Sequence, residues 1–106
     1  MSLTIPDNWV VIRIKDKSIA TGYIDRVLAG WHGGYLYGDS WKINSGIKKS
    51  TEFKHFWKFY GYSGSVYKCY KNNQGFSSIT SSIYESIKGR LPPTTTIEVL
   101  SLEGSK

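Results

Sequence analysis

Two neighbouring segments of the chain alternate lysine with aromatic residues. They read EFKHFWKFYGY (Glu52–Tyr62) and SVYKCYK (Ser65–Lys71), and their spacing predicts two β-strands joined by a short hairpin. Since successive side chains of a strand point to opposite faces, one face carries a mixed basic and aromatic set: Lys54, Phe56, Lys58, Tyr60, Lys68 and Tyr70. Ammonium groups bind phosphates and rings stack on bases, which is the chemistry that holds single-stranded nucleic acid.

The opposite face of these two strands is more apolar and is predicted to be core. It carries Phe53, His55, Trp57, Phe59, Tyr67 and Cys69. A purely structural interpretation of the basic and aromatic face stays open, because lysines solvate the outside of a sheet and aromatic residues favour strands whatever their function. The segments also lack the glycine–aromatic signature of the common RNA-recognition sheet.

A second unusual stretch is GWHGGYLYGDSWKINSGI, residues Gly30–Ile47. The dipeptides Gly33-Gly34 and Gly38-Asp39 predict tight turns. We expect Trp41 to fill core. Loops rich in tyrosine, tryptophan and glycine bind partners at low entropic cost, so this stretch also predicts a partner-binding loop made by Trp31, His32, Tyr35 and Tyr37.

The two histidines and the nearby aspartates also offer residues for acid–base catalysis. His32 with Asp39 or Asp25 could form an acid–base pair, and a small hydrolase using His32 or His55 is one hypothesis. No dinucleotide or phosphate-loop spacing is present. Two histidines and one cysteine are too few and wrongly spaced for an ordinary structural zinc site. We therefore predict a protein that is not an enzyme and that uses no metal and no cofactor.

The bulk composition predicts one domain, spanning residues 1–106. The net charge of +6 favours acidic partners such as nucleic acid. The single cysteine, Cys69, allows no internal disulfide, which fits a reducing compartment. The sequence shows neither a long apolar run nor a signal-peptide pattern. We expect a cytoplasmic location and no membrane contact.

The elements that must position these residues are short strands and one late helix. Besides the two strands above, the pattern predicts strands at Asn8–Lys17, Gly22–Trp31, Ser40–Ile47 and Thr94–Leu102. Ile79, Ile83 and Ile87 recur at helical spacing between Ser77 and Pro93, with a capping box at Ser82 and Glu85 and a stop at Gly89 and the two prolines.

Most of the connections are too short for parallel crossovers. The predicted fold class is therefore α+β: a mainly antiparallel β-sheet or partial barrel of about five to six strands, with one C-terminal helix covering an open end or face. Exposed sheet edges in so small a fold also leave a homodimer open.

The segments GDSWKINSGI and YSGSVYKC resemble parts of small proteins encoded by phages and prophages. This resemblance covers under half of the chain and names no family. It implies a small accessory or host-directed protein, typically without catalysis, and it assigns no functional residue.

Two hypotheses follow from the sequence. The first is a non-catalytic binding module whose basic and aromatic face contacts nucleic acid or another polyanion. The second is a phage-encoded protein-interaction or inhibitor protein that acts on a host partner through the loop from Trp31 to Tyr37. Steep salt dependence of binding would indicate the first, and binding that is insensitive to salt would indicate the second.

Overall fold

The computed structural model describes residues 2–34, 38–100 and 102. Across these ranges the chain forms eight strands, one α-helix and a single 3-10 turn at Lys71–Asn73. In chain order they are β1 (Ser2–Thr4), β2 (Asn8–Lys15), β3 (Tyr23–Gly34), β4 (Gly38–Ile43), β5 (Ile47–Glu52), β6 (Phe56–Gly61), β7 (Ser65–Tyr70), α1 (Ser78–Arg90) and β8 (Thr96–Leu100).

The strands divide between two four-stranded sheets. The outer sheet has the order β1-β7-β6-β5, and the central sheet has the order β4-β3-β2-β8. Every neighbouring pair is antiparallel except β1 and β7, which run parallel. The predicted α+β class with mainly antiparallel strands is confirmed. β1 and β5 were not predicted, so the eight strands observed in the described ranges exceed the five to six expected.

The main core lies between the two sheets. The central sheet contributes alternate residues of β2 and β3, and the outer sheet contributes the inward residues of β6 and β7: Trp9, Val11, Val27, Ala29, Phe59, Tyr67 and Cys69. Each of these is almost fully removed from water. This core confirms that one face of β6 and β7 is buried, so their other face must point outward.

A second core lies on the far side of the central sheet, where the helix packs. It consists of Val10, Ile12 and Leu28, with Ile43, Ile83, Tyr84 and Ile97 against them. The central sheet is thus covered on both faces, and this explains why β2 is apolar at consecutive positions instead of alternating. The predicted helical contact through Ile83 is confirmed.

Two predicted strands had wrong limits. Ser40–Ile47 is interrupted because the side-chain oxygen of Asn44 accepts hydrogen bonds from the amides of Val27 (2.9 Å) and Gly46 (3.3 Å), and Gly46 has φ of +132°. The chain then crosses to the outer sheet as β5. Glu52–Tyr62 is interrupted too, since residues 53–55 form the turn between β5 and β6, closed by the Phe53 amide donating to the Phe56 carbonyl (2.8 Å).

The prediction of tight turns at Gly33-Gly34 and Gly38-Asp39 was wrong. Gly33 and Gly34 end β3, Gly38 and Asp39 begin β4, and Gly34 pairs with Gly38 across the two strands. The antiparallel ladder pairs Gly34 with Gly38, so local turn preference does not decide the conformation of these two glycines. The connection itself, residues 35–37, lies outside the described residues.

The N-cap of the helix lies five residues before the serine of the predicted capping box. Ser77 is the N-cap: its Oγ accepts from the Thr80 amide (3.2 Å), and the Thr80 hydroxyl accepts from the Ser77 amide (2.8 Å). Threonine thus takes the place that glutamate or glutamine usually holds in this motif. Ser82 lies inside the helix, and the helix continues past Gly89 to Arg90 before the prolines stop it.

We expect Ser77→Ala to lower the free energy of unfolding by about 1 kcal/mol, because the helix loses its N-cap acceptor. Ser82→Ala is the matched control, since an exposed serine inside a helix should be replaced by alanine at no cost. Urea denaturation of both variants measures the difference. Equal stability of the two variants would contradict the assignment of the cap.

Candidate nucleic-acid interface

The basic–aromatic face is the outward surface of the outer sheet. The register of β6 and β7 places Phe56 opposite Tyr70, Lys58 opposite Lys68, and Tyr60 opposite Val66. The alternate pairs, such as Phe59 with Tyr67, point into the core. Five of the six residues predicted for this surface therefore lie on two adjacent strands and on one face: Phe56, Lys58, Tyr60, Lys68 and Tyr70.

The sixth predicted residue, Lys54, is not on a strand. It lies in the turn at residues 53–55, at one end of the face, and it is exposed. The same turn moves two residues that were predicted to be core. Phe53 is exposed and stacks on Phe56 with ring centres 4.7 Å apart, and His55 is exposed as well. Alternation could not place these three residues because it holds only inside a strand.

The aromatic rings of the face form one contact group with lysines over them. Phe56 packs edge-on against Tyr70, with 5.7 Å between ring centres. The ammonium of Lys68 lies 4.5 Å from the centre of the Phe56 ring and 5.2 Å from that of Tyr70. Such cation–π contacts are worth about 0.5–1 kcal/mol at exposed sites, so a nucleic-acid base can displace the ammonium from the ring at small cost.

Two further lysines belong to this surface. They were not predicted because β5 was not predicted as a strand. Lys49 pairs with Tyr60 across β5 and β6, and its ammonium lies 5.7 Å from the Tyr60 ring centre. Lys48 lies beside it at a register irregularity. Together with Lys58 they surround a groove of about 660 Å³, whose apolar walls come from Leu3, Tyr60 and Val66. The segment IKKSTE contains both lysines, and predicting it as a strand would have placed them beside the other lysines of the sheet.

The lysines of the face form no ion pair with a carboxylate of the described residues. In the described part of the chain three ion pairs occur, and they join Arg13 to Asp25, Lys15 to Glu98, and Lys71 to Glu52. Five lysines on or beside the face take no part in them: Lys48, Lys49, Lys54, Lys58 and Lys68. An uncompensated cluster of one sign raises the local concentration of anionic ligands and accelerates their association.

The second predicted site, the partner-binding loop, is only partly described. Trp31 and His32 belong to β3; Tyr35 and Tyr37 lie outside the described residues. Trp31 is half-buried against the main core, and its indole N–H donates to the Ile5 carbonyl (3.0 Å). His32 is exposed, and its backbone amide donates to the Asp7 carboxylate (2.8 Å).

Trp41 lies at the surface of the protein. It was predicted to fill core, but it lies on the edge strand β4 and 42% of its surface is exposed. The position that a core tryptophan fills is taken instead by Trp9, which is fully buried between the sheets.

Cys69 and Asp25 are held in structural roles. Cys69 is fully buried, and burial strongly raises the pKa of its thiol, so it stays protonated and unreactive. Asp25 accepts two hydrogen bonds from the Arg13 guanidinium, at 2.8 and 3.0 Å. Among the residues that the structure describes, no three metal-ligating side chains cluster.

Comparisons with known proteins add no family. The chain matches no protein-family model, no curated protein and no solved structure. The resemblance to phage-encoded proteins therefore stays a prediction. Over the described ranges, no helix is both long enough and apolar enough to cross a membrane.

Proposed function

We propose that this protein binds single-stranded nucleic acid on the basic–aromatic face of its outer sheet. The observation that carries the proposal is the union of stacked rings and uncompensated lysines on one surface. The Phe56 ring contacts both Phe53 and Tyr70 there, and Lys58 and Lys68 lie on neighbouring strands directly opposite each other. Two like charges placed in cross-strand register destabilise a sheet, so an anionic ligand between them would relieve repulsion.

A single strand suits this surface better than a duplex. Rings on an open sheet can stack only on bases that are free of partners, whereas duplex recognition places a helix or a β-ribbon in a groove. The apolar groove between Leu3, Tyr60 and Val66 offers a further place for an unstacked base, with Lys48 and Lys49 at its rim for the flanking phosphates. Other polyanions share the charge of a nucleic acid but not its flat rings.

We expect a short single-stranded oligonucleotide to bind with steep salt dependence. The fluorescence anisotropy of a fluorescein label on the strand measures this binding. Each phosphate neutralised on a single strand contributes about −0.7 to the slope of log affinity against log salt, so five lysines limit the slope to about −3.5. An abasic strand of equal length is the control, because stacking contributes roughly 1–3 kcal/mol per base. Absence of binding at low salt would reject the proposal, and equal affinity for the abasic strand would reject the role of the rings.

The protein-interaction hypothesis keeps one specific observation in its favour. Trp41 is exposed on an edge strand, next to the end of β3 that carries His32. An exposed tryptophan on an unpaired strand edge suits a protein partner, a second copy of this chain included. Trp41→Ser should then weaken that association, and raising the salt concentration should leave the association unchanged. Sedimentation of the wild type and the variant measures self-association directly.

A further inference from the structure

A second pocket, of about 810 Å³, lies beside the β6–β7 hairpin and the crossover from β4 to β5. Its character differs from that of the apolar groove. Two cations and four hydroxyl groups line it: Arg26, Lys42, Ser45, Ser63, Ser65 and Tyr67. Among the residues that the structure describes, no carboxylate lines this pocket. The pocket meets the groove at Gly64 and Ser65, which line both.

Two donors of the lining residues are buried and have no hydrogen-bond partner among the described residues, namely Arg26 Nε and Tyr67 Oη. Burial raises the pKa of Tyr67, so its hydroxyl remains a donor at neutral pH. Neither Arg26 nor Lys42 forms an ion pair with a described residue. Buried unpaired donors, above all a charged one, are costly, and native proteins usually satisfy them.

We infer that this pocket binds the phosphate group of a phosphate monoester. A monoester has three terminal oxygens and a charge of about −1.5 to −2 at neutral pH, which suits donors on several walls and two cations. A carboxylate presents only two oxygens in one plane, and a neutral sugar would leave both cations uncompensated. The inference does not rest on the proposed nucleic-acid function, because no lysine of the basic–aromatic face lines the pocket.

The test uses inorganic phosphate and the whole chain labelled with ¹⁵N. We expect saturable amide shifts centred on Ser45, Ser63 and Ser65 when phosphate replaces chloride at constant ionic strength. Lys42→Gln should weaken the affinity about fivefold, and Arg26→Gln about tenfold or more, while Lys17→Gln in a distant exposed turn should change nothing. The absence of saturable shifts when phosphate replaces chloride, or equal affinity in all three variants, would overturn the inference.

Tyr67→Phe removes the unpartnered hydroxyl donor without changing any charge, and phosphate affinity should fall about fivefold. Thermal denaturation establishes whether this variant folds; if it does not, Lys42→Gln still decides. The source of the phosphate is read from oligonucleotides that carry a phosphate or a hydroxyl at each end. Tighter binding of a phosphorylated end assigns the pocket to strand ends, and equal binding of all ends assigns it to a free monoester.

Discussion

Replacing both Lys54 and Lys58 with glutamate is expected to abolish oligonucleotide binding and to leave the fold intact. Hydrogen bonds to charged groups contribute about 1.5–3 kcal/mol each, so the loss of two phosphate contacts alone weakens binding about a hundredfold or more. A carboxylate at position 58 would also face Lys68 across the strands and neutralise it. The new pair replaces a repulsion, so we expect no loss of stability.

The matched control is the double change of Lys17 and Lys88 to glutamate. It alters the net charge by the same amount, but at an exposed turn and at the last turn of the helix, neither of which lies on the outer sheet. We expect only a few-fold loss of affinity from this control, through the long-range field. Anisotropy titrations at one low salt concentration compare the two variants. If both bind equally weakly, net charge governs binding and the basic–aromatic face is not the site.

The position of the face could be predicted because it depends on one local rule. Inside β6 and β7 alternation is strict, so Phe56, Lys58 and Tyr60 must share a side, and the short hairpin fixes which residues of β7 join them. The prediction was wrong only for residues that come before the start of β6. Lys54 and His55 precede the first strand residue, and a turn does not alternate.

Other features depend on distant contacts that no local pattern reveals. The break at Asn44 exists because its side chain bonds the Val27 amide, seventeen positions away. β1 becomes a strand only by pairing with β7 from the other half of the chain. Trp9 and Trp41 both fall in segments predicted as strands, and only the order of strands decides that Trp9 is central and Trp41 lies at an edge.

Trp9→Ala is expected to lower the free energy of unfolding by about 3–5 kcal/mol, a large part of the 5–15 kcal/mol typical of a small domain. The indole is fully buried between the sheets, with its ring centre 5.6 Å from that of Phe59. Its N–H donates to the carbonyl of Tyr70 (2.7 Å). Alanine would therefore leave both a cavity and an unpaired carbonyl beneath the strands of the basic–aromatic face.

Trp41→Ala removes the same side chain from an exposed position, so its cost should stay below about 1 kcal/mol. Urea denaturation of both variants, followed by circular dichroism, measures the difference; equal losses would contradict the assignment of Trp9 to the core. Trp9→Phe separates the effect of the cavity from the effect of the lost hydrogen bond, since it keeps an aromatic ring and removes the hydrogen bond to Tyr70. Because that bond holds the end of β7, this variant should fold and yet bind the oligonucleotide more weakly than the wild type does.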